Sequence, residues 1–228
     1  GVEANVTSSS PTLLGYRAIG RHGDGNLEFN GPDAVAVLED GNLIVCDSDN
    51  HRLQILTPEG DFVRTIGRQG DGNLEFRYPD GVAVLEDGNL IVCDSDNHRL
   101  QILTPEGDAV RAIGRYGDGN LEFAFPIGVA VLEDGNLVIS DSGNHRLQIL
   151  RSEGDFVRTI GQQGEGDLEF CNPRGVAVLE DGNLIVCDSP NYRLQILTPE
   201  GDFVRTIAFD GSPDSIAVLD RDHVAVTH

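Results

Sequence analysis

Asn50-His51-Arg52, Asn97-His98-Arg99 and Asn144-His145-Arg146 recur at a step of 47 residues, with Asn191-Tyr192-Arg193 as a variant fourth copy. Imidazoles could ligate zinc or move protons. Acidic runs such as Asp47-Ser48-Asp49-Asn50 superficially resemble calcium loops. The required later Glu and the full loop spacing are missing, so Asx turns explain them better. Histidines related by a repeat sit in different structural units. Zinc needs its ligands at ~2.0–2.1 Å, so His51, His98 and His145 are not expected to share an ion within one ring. The triplets read instead as structural. Arg99 should pair with Asp94 across the turn it closes, Asn97 should bond the turn backbone, and His98 should start a strand. His223 and His228 read as strand residues. No nucleophile motif, phosphate loop or cofactor fingerprint is present. No catalytic residue, metal site or cofactor is therefore expected.

The elements that would position these residues repeat as well. Val35–Phe76 and Val82–Phe123 differ at 3 of 42 positions, and Gly81, Gly128 and Gly175 are equivalent. Such a period signals a repeat architecture. Within one unit, Gly81–Leu85 is a short β-branched run. Glu86-Asp87-Gly88-Asn89 is a hairpin signal between two such runs. Leu90–Cys93 follows, then the Asx-rich turn Asp94–Asn97, the run Arg99–Leu103, a Pro-Gly turn over Thr104–Asp108, and the run Ala109–Ile113. No helical period survives the frequent Gly and Pro. Four short antiparallel strands per repeat predict an all-β fold, a β-propeller with the Val/Ala-rich run innermost.

The two ends complete the pattern. Ser215–His228 supplies two strands of a blade. Gly15–Gly20 aligns with Phe62–Gly67, Pro11 with Pro58, and Val6–Ser10 with Leu53–Thr57. The expectation is five blades in a single domain over residues 1–228, the last blade closed by N- and C-terminal strands. Such closure removes exposed edges.

The stretch PDGVAV…DGNLIVCDSDNHRLQIL…EGDFVRTIG resembles the NHL repeat, named for an Asn-His-Leu triplet, over essentially the whole chain. The resemblance implies a propeller, usually of six blades. It implies a choice of functions: partner binding, or metal-dependent lactonase or lyase chemistry in a channel, or a part of a larger receptor or ligase. Some NHL propellers resemble RNA readers with a basic, aromatic face.

The chain opposes that last role. It carries 16 Lys plus Arg, all of them Arg, against 38 Asp plus Glu, a formal charge of −22. That balance argues against nucleic acid or an anionic membrane surface as main partner and fits a basic partner, a metal ion or solubility. No apolar run approaches ~20 residues. Cys46, Cys93 and Cys187 share one repeat position and Cys171 lies in a loop, so no disulfide is expected and an intracellular compartment is weakly favoured. The sequon Asn5-Val6-Thr7 points the other way. A monomer is expected.

The copies differ on one face. Strand alternation puts the second-to-third turn and the inter-blade connection together there. The opposite face repeats Leu-Glu-Asp-Gly-Asn unchanged in four copies. On the variable face, His22 becomes Gln69, Tyr116 and Gln163. Asn30-Gly31 becomes Arg77-Tyr78, Ala124-Phe125 and Cys171-Asn172. Asp33 becomes Asp80, Ile127 and Arg174, just before the innermost strand, where they should ring the channel mouth. The candidate ligand-binding set is Asn30, Asp33, Arg77, Tyr78, Asp80, Phe125, Ile127, Asn172 and Arg174. The function expected is a non-catalytic scaffold presenting this face to a protein, peptide or small-molecule ligand. A metal-dependent hydrolase or lyase with a channel site is the alternative from another class.

Overall fold

The computed structural model describes residues 18–221 and 223–228. Four antiparallel sheets of four strands follow one another along the chain. The second runs Pro79–Val84, Leu90–Asp94, Arg99–Leu103 and Ala109–Ile113, paired in sequence order from the inside outwards. The first spans Pro32 to Ile66, the third Pro126 to Ile160 and the fourth Pro173 to Ala208. A two-stranded sheet, Ile216–Asp220 with His223–Val226, comes last. The sheets are blades of a β-propeller. The first strands of adjacent blades pack against one another around a channel.

Alternation along each strand builds the core between blades. In blade one, Ile44, Cys46, Leu53 and Ile55 face Val82, Leu90 and Val92 of blade two. In blade two, Ile91, Cys93, Leu100 and Ile102 turn the other way, toward Leu137 and Ile139 of blade three. Both faces of a blade are thus covered, which is why these strands read as nearly continuous apolar runs. Each blade buries its apolar face only by stacking on a neighbour. Blade one breaks this rule on its far side. Val35 and Val37 are 61% and 64% exposed, whereas Val82 and Val176 are each 7% exposed. Leu219 of the last sheet is likewise exposed at 67%, against 6% for Leu85.

The Asx-rich turn is a 3₁₀ turn, Ser95–Asn97, closed by His98 at φ 55°. The strand boundaries match the expected runs, with each innermost strand starting two residues earlier, at Pro79. Gly107 takes φ 94° in the Pro-Gly turn, as its sequence required. The last two strands fall within the expected Ser215–His228. The partner strands expected over Val6–Ser10 and Gly15–Gly20 lie outside the described residues, apart from Ala18, Ile19 and Gly20. The structure thus displays four complete blades and an inner half-blade. Among the described residues, no helix is long and apolar enough to cross a membrane.

Candidate functional site

Each blade is tied to the connection before it by one buried carboxylate. Asp94 is fully buried and accepts from Arg99 Nε at 2.7 Å, Asn97 Nδ2 at 3.0 Å and Gln101 Nε2 at 3.0 Å. The backbone N–H of Arg77 donates to it at 2.7 Å. Arg99 and Gln101 also donate to the Glu75 carbonyl, which pins the connection to the third strand. Asp47, Asp141 and Asp188 stand in the same place with the same Arg partner. Asn97 donates to the Gly70 carbonyl at 2.8 Å. The expected Arg-Asp pair is therefore present; Asn97 bonds the preceding connection and the Asp94 carboxylate rather than the turn backbone, and both contacts are structural.

The histidines close the turn rather than start the strand, which begins at the Arg that follows, and they also support the variable face. His51 Nδ1 accepts the backbone N–H of Tyr78 at 3.2 Å, His98 that of Phe125 at 3.2 Å, and His145 that of Asn172 at 3.0 Å. The His51 ring meets Tyr78 edge-on with centroids 4.7 Å apart, and His98 meets Phe125 in the same way. Tyr116 closes on His98 at 4.8 Å. Reading the triplets as turn residues alone missed this support of the variable face. The pairing joins residues 27 positions apart, so nothing local announces it.

Four of the expected residues converge. Asp33, Asp80, Ile127 and Arg174 line one cavity of about 490 Å³ at the channel mouth, with Val82, Val129 and Val176 among its apolar walls. A bulge in the innermost strand aims them. Gly81 pairs with Cys93 and Pro79 with Asp94, so Asp80 is the extra residue between them. The glycine after it serves close approach. A Cβ on Gly81 would stand 2.2 Å from the Ile127 carbonyl oxygen, and one on Gly128 2.3 Å from that of Arg174. The remaining candidates, Asn30, Arg77, Tyr78, Phe125 and Asn172, are outside this lining. Tyr78 and Phe125 form an exposed outer rim at 40% and 45% exposure.

Sequence comparison of the copies overlooked Asp214, which also lines the mouth. Pro213-Asp214-Ser215 answers Pro79-Asp80-Gly81, but the shortened connection before it breaks the 47-residue step. Asp214 forms an ion pair with Arg174. Burial pushes the Asp80 carboxyl up to about 7, against a hydrogen bond from the Ser95 side chain, and the neighbouring Asp33 carboxyl adds to the rise. Asp33 is raised in the same way, chiefly by burial. The mouth thus holds a pair of carboxyls disposed to keep a proton, beside an ion pair. Among the described residues, no group of three His, Cys, Asp or Glu side chains is placed to hold a metal ion. Cys46, Cys93 and Cys187 are free and buried, and burial raises their thiols, that of Cys187 to about 12.

Comparison with known families agrees with this architecture. The NHL repeat matches residues 29–56, 76–103, 123–150 and 170–197. The chain is an NHL-repeat propeller. No curated protein matches its sequence. A putative gluconolactonase matches in structure with a TM-score of 0.67 at 19% identity, covering 86% of this chain and 70% of that one. A gluconolactonase from Xanthomonas campestris matches at 0.67 and 16% identity, over 86% and 68%. A catalytically inactive virginiamycin B lyase from Staphylococcus aureus, solved with quinupristin, matches at 0.64 and 14% identity, over 81% of this chain. The chain spans 59% of that lyase's length. At such identities the likeness concerns the fold alone.

Proposed function

We propose that this NHL propeller is a non-catalytic binding module of five blades, and that its ligand sits at the channel mouth under the variable rim. One observation carries the reading. The innermost-strand position that differs between copies, occupied by Asp33, Asp80, Ile127, Arg174 and Asp214, lines a single cavity. The flanking scaffold hardly changes. Divergence that reaches a concave site of small-molecule size on a rigid ring is what ligand selection requires.

The five-blade count has support within the described residues. A Cβ on Gly60 would stand 2.9 Å from Ile19 Cδ1, as one on Gly107 would from Ile66 Cδ1. Ile113 on Gly154 and Ile160 on Gly201 repeat the contact between successive blades. Ile19 thus fills the slot of an outermost strand belonging to a blade before blade one. The last sheet supplies the inner half of that blade, and residues 6–20 would supply its outer half.

The experiment is a thermal-shift screen of small molecules and peptides against the full chain. Hits should disappear in Arg174→Ala and Asp80→Asn and persist in Glu86→Gln on the opposite face. Hits that survive both mouth substitutions would refute the reading. Asp80 favours a second reading, since a carboxyl poised near neutrality in a cavity suits acid–base chemistry. Turnover of gluconolactone that is lost in Asp80→Asn would favour the enzyme.

A further inference from the structure

We infer that the partner is a basic peptide, with one Arg or Lys side chain entering the mouth between Asp33 and Asp80 and the flanking residues crossing the aromatic rim of Tyr78, Phe125 and Tyr116. This deepens the binding reading and rests on it.

The mouth supplies the first argument. Its charged lining groups are three carboxyls, Asp33, Asp80 and Asp214, and one guanidinium, Arg174. Arg174 is already paired with Asp214. Three carboxyls therefore stand against one guanidinium at the mouth, and although the Arg174 charge also reaches Asp33 and Asp80, an incoming cation meets an excess of acid groups. Val82, Val129 and Val176 offer apolar wall to the aliphatic stem of an Arg or Lys.

The rim supplies the second. Tyr78, Phe125 and Tyr116 are 40%, 45% and 69% exposed. His98 holds Phe125 and Tyr116 together, with ring centroids at 4.7 and 4.8 Å. Exposed aromatic rings attract guanidinium and ammonium groups and serve as interface anchors. Tyr78 is two residues from Asp80, roughly 7 Å along extended chain. A peptide spans mouth and rim together, whereas a small amine would reach only the mouth.

The field supplies the third. Asp49, Asp71, Asp96 and Asp118 are exposed on this same face, in a chain of net charge −22. Basic partners are steered toward such a surface. The opposite face is acidic too, with Glu86 and Glu133, but its repeated Leu-Glu-Asp-Gly-Asn hairpins hold no aromatic residue. It is a built-in control for charge alone.

The test is fluorescence anisotropy of labelled hexaarginine, with hexaglutamate as the opposite probe, against the full chain at physiological salt. Hexaarginine should bind. Asp33→Asn with Asp80→Asn should weaken it at least tenfold, and Tyr78→Ala with Phe125→Ala several-fold. Glu86→Gln with Glu133→Gln should change it less than twofold. Each variant is first checked for an unchanged circular-dichroism spectrum, and Asp80→Glu, which keeps the charge, should retain most binding. Equal losses from the mouth and opposite-face variants would overturn the inference, because bulk charge would then explain binding. So would failure of hexaarginine to bind. If a different ligand depends on the mouth while hexaarginine does not, the peptide inference falls and the binding module stands.

Discussion

Asp94 and Asp80 sit on adjacent strands of one blade, with Asp94 in register with Pro79. Both carboxyls are withdrawn from water, yet their neighbours differ in kind. Asp94 meets four donors, Arg99, Asn97, Gln101 and the Arg77 N–H. Asp80 meets a serine hydroxyl and a second carboxyl, Asp33, and burial raises it. Three of Asp94's four donors lie within seven residues of it, in its own repeat. Of Asp80's neighbours, Ser95 comes from its own blade, but Asp33 comes from blade one and Arg174 from blade four. A carboxylate whose donors are copied with it is locked to its sequence. A position whose neighbours are other copies of itself is left open to become Ile127 or Arg174. The first kind of site makes the scaffold; the second makes specificity.

Three perturbations should break or sharpen this contrast. The largest is deletion of residues 1–17. Each Asp-Arg latch operates within one blade and its leading connection, so four latches should survive. The mouth needs the whole ring. Unfolding temperature should fall by roughly 10 °C or more, on the usual scale for a domain of this size. Ligands of the mouth should be lost with it. An unchanged melting temperature would remove the five-blade proposal.

Next is Arg99→Ala. It leaves Asp94 buried with three weaker donors, and loss of one partner from a buried ion pair costs about 3 kcal/mol or more. Urea unfolding measures it. A loss below about 1 kcal/mol would mean that Asn97 and Gln101 suffice. The smallest is Asp80→Asn, and its sign is reversed. A carboxyl raised from 3.8 to about 7 in the fold holds its proton more tightly than the unfolded chain does. That preference costs almost nothing below about pH 3, where both states are protonated. It destabilises increasingly as pH rises toward 7, and fully above. Asp80→Asn should therefore stabilise at pH 8, by less than the roughly 4 kcal/mol of the full shift because Asn is itself a buried polar group, and by nearly nothing at pH 3. Equal effects at the two pH values would show that Asp80 is not raised.

Much of this was legible in the repeat. The alternation of Ile91 and Cys93 against Leu90 and Val92 announces a strand covered on both sides, and Gly107 announces its turn. The Arg99–Asp94 pair is local enough to read directly. The internal alignment also picked out Asp33, Asp80, Ile127 and Arg174. It passed over Asp214, because the shortened connection breaks the period there. It also could not foresee His51 and His98 holding Tyr78 and Phe125, because those contacts join residues from consecutive blades.

The sequence alone determined the strands, the turns, the Arg-Asp pair of each blade and the face on which copies diverge. Those rest on alternation, turn chemistry and donors within about ten residues. Strand alternation also placed four positions at the channel mouth, and only the tertiary structure added Asp214 and showed that all five line one cavity. Only there do two of them, Asp33 and Asp80, become neighbours and their carboxyls rise. The reason is geometric: a bulge in the innermost strand of each complete blade turns one side chain inward, and blade stacking sets which copies meet.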